Sequence, residues 1–366
     1  MHRRAKFSLA LLCVLGLAGC QQREASPEFV YKDFVLLNGQ KQELDEEFLP
    51  VIEEQVNTLT GSYDDPILFG NEDGDVPKEK LKLGQAVYQK RCVQCHGVSG
   101  DGNGPAAFVM YPKPRDYRLG IYKFTSTPYG QKPLHSDLVR TVVNGVRGTS
   151  MPAFKLLPEE EIEAVVDYVL MLTHRGEIEH QLGVMAISEG EIDPEWVQED
   201  ILPVVKSKWK TAAASQVSPM TPPPVFTKDH ITRGREAFLS KGCVKCHGDD
   251  GRGQTPENLK GDLKDAWGNV TRAADLTSGM LHGGQRPIDV YRRIYSGING
   301  TPMPAFANAL QEEPDTIWDL VAYVLHVSNT RRMGVEHTPG KFAPYIPVET
   351  AEAGAAGDSV DVDAAE

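Results

Sequence analysis

The 366-residue sequence has little cysteine, no long apolar run after its first residues, and no excess of positive charge. Of its six cysteines, Cys13 and Cys20 lie close to the N-terminus and the other four form two distant pairs. None is left over for a disulfide framework. No later segment approaches the roughly 20 continuous apolar residues of a membrane-spanning helix. The formal net charge of −13 gives no reason to expect a nucleic-acid partner. Sustained apolar–polar alternation and tight hairpin turns are also missing from the body of the chain, which excludes a mainly β architecture.

What is there is a five-residue motif that occurs twice, Cys92-Val93-Gln94-Cys95-His96 and Cys243-Val244-Lys245-Cys246-His247. Cys-x-x-Cys-His attaches c-type haem. One helical turn brings both sulfurs to one side, where they bond the two vinyl groups, and the adjacent histidine reaches the iron. The expectation is two covalently bound haem c groups, on Cys92 and Cys95 and on Cys243 and Cys246, with His96 and His247 as iron ligands. The competing reading is zinc. A zinc ribbon needs its second Cys-x-x-Cys close in sequence, whereas these copies are 151 residues apart.

The repeat extends well beyond the motif. Gly84-Gln85-Ala86-Val87-Tyr88 precedes the first copy and Gly234-Arg235-Glu236-Ala237-Phe238 the second, each a glycine with an aromatic four residues on, on one helical face. Pro105 and Pro256 each follow their histidine by nine residues. Gly130-Gln131-Lys132-Pro133 matches Gly284-Gln285-Arg286-Pro287, and Gly145, Gly148, Thr149, Met151 and Pro152 match Gly297, Gly300, Thr301, Met303 and Pro304. Each copy closes on an amphipathic helix. Ile162, Val165, Val166 and Val169 recur at helical spacing in the first, and Ile317, Leu320, Val321 and Val324 in the second. Tyr168 and Tyr323 in these helices are expected to meet the glycine–aromatic face.

The second iron ligand decides between carrier and enzyme. Met151 and Met303 follow their histidines by 55 and 56 residues, each in a loop stiffened by the next proline. Thioether is a soft ligand that favours ferrous iron. Met110 and Met280 compete as ligands but are not at equivalent positions, and core filling is the usual fate of methionine. Arg115, Lys123, Trp267, Arg272 and Arg286 are candidates for the haem propionates.

Together these residues make each copy resemble a class I cytochrome c domain over roughly 80–175 and 228–330. The resemblance implies an all-α fold of two tandem helical domains, each around a covalent haem. It also implies that the carbonyls of Pro105 and Pro256 accept the ring N–H of the proximal histidines, orienting them.

The organisation expected is a signal peptide over 1–19, an N-terminal extension over 20–78, haem domains over 79–175 and 228–333, a linker over 176–227 and an acidic tail over 334–366. The N-terminus has a basic head, an apolar run and Leu17-Ala18-Gly19-Cys20, which resembles a bacterial lipobox with Cys20 as the lipid attachment site. A signal anchor with an incidental cysteine is the alternative. Acidity belongs to the flanks: 42–76 holds eleven carboxylates and no Lys or Arg. The first haem region is mildly basic, which suits either an acidic partner or an ordinary mixed-charge surface.

The function expected is electron transport by a periplasmic, lipid-anchored dihaem cytochrome between a redox donor and an acceptor, with no catalytic residue. The alternatives are a fixed subunit of an oxidase or quinol-oxidising membrane complex, and a dihaem peroxidase with one open iron. Replacing Cys20 by Ser is expected to release the protein from the membrane fraction, and retention of the variant there contradicts lipid anchoring.

Overall fold

In the computed structural model, the residues described are 27–37, 40–68 and 76–332. The lipobox with Cys20 and the acidic tail lie outside them. The order of elements is strands β1 (Phe34–Leu37) and β2 (Gln40–Glu43), then helices α1 (Phe48–Thr60), α2 (Lys78–Arg91), α3 (Val93–His96), α4 (His135–Asn144) and α5 (Glu159–Glu189). After these come α6 (Pro194–Trp196), α7 (Leu202–Ala213), α8 (Lys228–Ser240), α9 (Val244–His247), α10 (Pro256–Leu259), α11 (Pro287–Ser296) and α12 (Thr316–Arg332). The architecture is all-α apart from the antiparallel hairpin β1–β2, which belongs to the N-terminal extension.

Each haem domain is built on one helix crossing, of α2 with α5 and of α8 with α12. At the crossing point a helix glycine lies against a backbone carbonyl: a Cβ on Gly84 would strike the carbonyl of Ala164, and one on Gly234 that of Asp319. The aromatic one turn later then meets the tyrosine of the closing helix, as expected. Ring centroids are 5.3 Å apart for Tyr88 and Tyr168 and 5.1 Å for Phe238 and Tyr323. Around the first crossing Leu81, Val87, Val165, Met171 and Leu172 are buried, and around the second Ile317, Trp318, Leu320 and Val321.

The closing helix of the first domain does not stop near 175. It continues to Glu189, where Gly190 in left-handed conformation ends it. Gly176 is no helix stop, because its missing side chain makes room for Arg118 packed against it. Past that point Ile178, Leu182 and Ala186 keep helical spacing and carry a third core. Ile52 and Val56 of α1 pack on them from the extension, and Val205 and Trp209 of α7 from the linker. Buried Arg175 fastens α1 by donating to Thr60 Oγ1 (2.9 Å), the Gly61 carbonyl (2.9 Å) and Asn57 Oδ1 (2.7 Å). Trp209 Nε1 donates to Glu177 Oε2 at 2.7 Å, and Glu177 also pairs with Lys132. Extension and linker are thus part of one scaffold with the first domain.

The crossing yields a direct prediction. In an open helix, replacing glycine gains up to about 1 kcal/mol in helix propensity. Overpacking against backbone that cannot yield costs roughly 1–3 kcal/mol or more. Gly84→Val, with its branched side chain, is expected to destabilise the protein by about 3 kcal/mol, read as a fall in the midpoint of thermal unfolding. An unchanged midpoint refutes the crossing.

Candidate functional site: two haem-attachment centres

Helix α2 runs straight into the first attachment motif. Cys92 caps α3, its carbonyl accepting from the His96 amide at 3.0 Å, and Gly97 at φ 75° ends the turn. The second motif is a near copy: the Cys243 carbonyl accepts from the His247 amide at 3.0 Å, and Gly248 has φ 75°. The following loop returns in both, with Gly102 donating to the His96 carbonyl (2.9 Å) and Gly253 to that of His247 (2.7 Å). The four motif cysteines are half-buried and none of them is in a disulfide.

The histidines are oriented by backbone carbonyls, as the resemblance implied, but not by those of the prolines. His96 Nδ1 lies 3.1 Å from the Arg115 carbonyl oxygen, and His247 Nδ1 lies 3.1 Å from that of Ala274. Pro105 and Pro256 are exposed. The loop at Pro105 is tied back onto the motif helix through Gly104 N to the Cys95 carbonyl (3.2 Å) and Ala106 N to the Gln94 carbonyl (2.8 Å). Pro256 opens α10, where its carbonyl accepts from Lys260 N at 3.0 Å. The two real acceptors follow their histidines by 19 and 27 residues, so an insertion in the second copy hides their equivalence. The signal that survives is an aspartate after each. Asp116 Oδ1 accepts from Arg118 N at 3.0 Å, and Asp275 Oδ1 from Thr277 N at 2.8 Å.

The donor set fits haem. A ring with Nδ1 committed to a carbonyl keeps Nε2 for iron. Burial pushes the His96 pKa down to about 4 and lowers that of His247, which favours the neutral imidazole that a metal ligand needs. Burial raises the free Cys92 thiol to about 12 and the Cys243 thiol to about 11. Among the described residues no three His, Cys, Asp or Glu side chains converge as a metal cluster. Tyr117 stacks on the His96 ring with centroids 4.8 Å apart, a contact that sequence reasoning missed because Leu276 stands in its place in the second copy.

The two methionine loops are held alike. Met151 N donates to Thr149 Oγ1 at 3.1 Å and Met303 N to Thr301 Oγ1 at 3.3 Å. Each methionine carbonyl accepts from the residue five before it, Val146 at 3.1 Å and Ile298 at 3.2 Å. Of the competitors, Met280 is 53 % exposed and lies against Gly148 of the other domain. Met110 only closes the turn over Ala107–Val109.

Of the five propionate candidates the fold brings three together. The Arg115 guanidinium lies 3.6 Å from the ring centroid of Trp267, and Lys123 Nζ lies 3.4 Å from Asp265 Oδ2. Burial pushes Arg115 down to about 10, and burial followed by the charge of Arg115 pushes Lys123 down to about 8. Asp116 is paired with Arg118 and Lys32, and the half-buried Arg115 and Lys123 share the charge of Asp265. Arg115 and Lys123 would hold a propionate there. Arg286 instead caps α11 through Asp289, and Arg272 is exposed and apart from the group.

Two family descriptions match successive stretches: "Cytochrome C oxidase, cbb3-type, subunit III" over residues 79–169, and "Cytochrome c" over 231–328. A solved chain from the Kuenenia stuttgartiensis reducing HAO-like protein complex is 34% identical with a TM-score of 0.52, the match covering 69% of this chain and 98% of that one. The chain belongs to the cytochrome c family. This cytochrome c has two such domains in tandem and binds two haem c groups covalently, and its role is electron transfer. A further relative is the Cbb3-type cytochrome c oxidase subunit CcoP of Helicobacter pylori, 22% identical over 250 residues. That match takes in 65% of this cytochrome c, which spans 61% of the relative's length.

Proposed function

We propose that this cytochrome c passes single electrons between a donor and an acceptor outside the cytoplasm as the electron-entry or electron-exit subunit of a larger complex, tethered to the membrane through Cys20. The observation that carries this reading is the match to 98% of a chain solved within a multi-protein complex. The CcoP relative, itself named as an oxidase subunit, points the same way. The third core adds support, because it joins extension and linker to the first haem domain and leaves Ile187, Trp196 and Val204 partly exposed as apolar docking points.

In this reading His96 and Met151 hold one iron, and His247 and Met303 the other. Haem supplies one-electron chemistry when bound. The chain supplies fixed ligands, neutral imidazoles and half-buried cations, and needs no catalytic residue. A dihaem peroxidase requires one open iron, and two equivalent Met-Pro loops oppose that.

Met151→Ala and Met303→Ala are each expected to make one haem bind carbon monoxide rapidly and to lower its potential, while the other haem stays unchanged. An unaltered spectrum in either variant refutes that ligand. Gentle detergent extraction is expected to recover the protein with a membrane complex, and quantitative recovery as a monodisperse monomer points to a free carrier instead.

A further inference from the structure

The Gly-Gln loops and the methionine loops that repeat between the two domains meet at the seam between them. Asn299 and Arg147 are equivalent positions, each two residues after the repeated glycine, Gly297 or Gly145. Asn299 reaches the first domain's Gly-Gln loop, accepting from Gly130 N at 2.8 Å and donating to the Gln131 carbonyl at 3.3 Å. Arg147 reaches the second domain's Gly-Gln loop, donating to Gln285 Oε1 at 2.6 Å. The repeat therefore packs on itself as a pseudo-twofold pair, the intramolecular form of an isologous interface.

That symmetry puts both methionine loops in the seam. Gly148, three residues before Met151, is covered by Met280 and His282 of the second domain. Gly300, three residues before Met303, is covered by Ile121 of the first domain and by Trp267. Trp267 also crosses to the backbone behind the first haem's histidine. Its Nε1 donates to the Asp116 carbonyl at 3.1 Å, its ring lies under Arg115, and the Arg115 carbonyl is the partner of His96 Nδ1. Arg293 closes the seam by donating to the Lys123 carbonyl at 3.0 Å.

We propose that this seam is the electron-exchange contact between the two centres, and that Trp267 is the positioning residue that holds the Met303 loop against Arg115 and Ile121. One electron leaves the ferrous centre of lower potential, which becomes ferric, and reduces the ferric centre of the other domain. No bond is made or broken and no proton moves. The inference rests on the proposed electron-transfer role but not on any partner, because it is read on the isolated chain.

The test is photoreduction of the purified full-length dihaem protein by a pulsed dye, followed by the first-order re-equilibration between haems at several protein concentrations. A concentration-independent phase is expected. Trp267→Ala is expected to slow it roughly tenfold or more, as ångström misplacement does for a positioned reaction, and Trp267→Phe, which keeps the stacking surface, to stay within about threefold of the parent. Visible spectra should show both haems still low-spin in both variants, and each rate is read at the driving force set by that variant's own midpoint potentials. If Trp267→Ala does not accumulate, the double variant Arg147→Ala/Asn299→Ala, which cuts the symmetric contacts, is expected to show the same slowing. Absence of an intramolecular phase in the parent, or an unchanged rate in whichever of these variants is folded with both haems attached, overturns the proposal. Loss of complex formation with this phase intact sinks the partner assignment and leaves the seam standing.

Discussion

Everything in each haem domain hangs on one steric fact, a helix glycine laid against the carbonyl of a second helix. With no Cβ at Gly84 or Gly234, the opening and closing helices approach until backbone meets backbone. The aromatic pairs Tyr88–Tyr168 and Phe238–Tyr323 then lock the rotation of one helix on the other. Because α2 leads directly into α3, that rotation also sets where two thiols and an imidazole face. Tyr88 makes the link explicit, its hydroxyl donating to the Gly97 carbonyl at the end of the attachment turn at 2.9 Å. The attachment motif is a short helical turn whose direction is inherited from a crossing some distance away.

From that crossing the chain builds outward in two ways. In the first domain the closing helix overruns its haem fold and gathers the hairpin, α1 and α7 into a third core. In the second domain α12 ends the described part of the chain, and among the described residues no such layer is added. The asymmetry is physically simple: the apolar stripe of α5 continues through Ile178, Leu182 and Ala186, and buried Arg175 and Glu177 provide polar anchors for what packs there. The linker then returns across the domains, with Val217 N donating to the Ser126 carbonyl at 2.8 Å and Met220 N to Tyr291 Oη at 3.0 Å. Residues 217–220 of the linker are thus tied to both haem domains.

Much of this was legible in the sequence, for reasons that can be named. The all-α class, the two attachment motifs and the glycine–aromatic crossings follow from local periodicity and from a repeat that keeps its register. Three things did not follow. The continuation of α5 past 175 did not follow, because what packs on Gly176 and on the helix beyond it comes from distant parts of the chain. The carbonyl partners of His96 and His247 were assigned to prolines in register, while the true partners, Arg115 and Ala274, are out of register. The seam was invisible because Gly130-Gln131 and Gly284-Gln285 look like ordinary turn residues until the other copy's Asn299 and Arg147 are seen against them. Local patterns carry local structure, and long-range acceptors are lost wherever the two copies differ in length.

The central claim is that one chain holds two closed, equivalent redox centres. A potentiometric titration of the purified protein, followed by visible spectroscopy and combined with a haem count per chain, tests it most directly. The account predicts two haems per chain, each low-spin in both oxidation states, and two one-electron waves. One haem per chain, or a high-spin component in the resting protein, contradicts it.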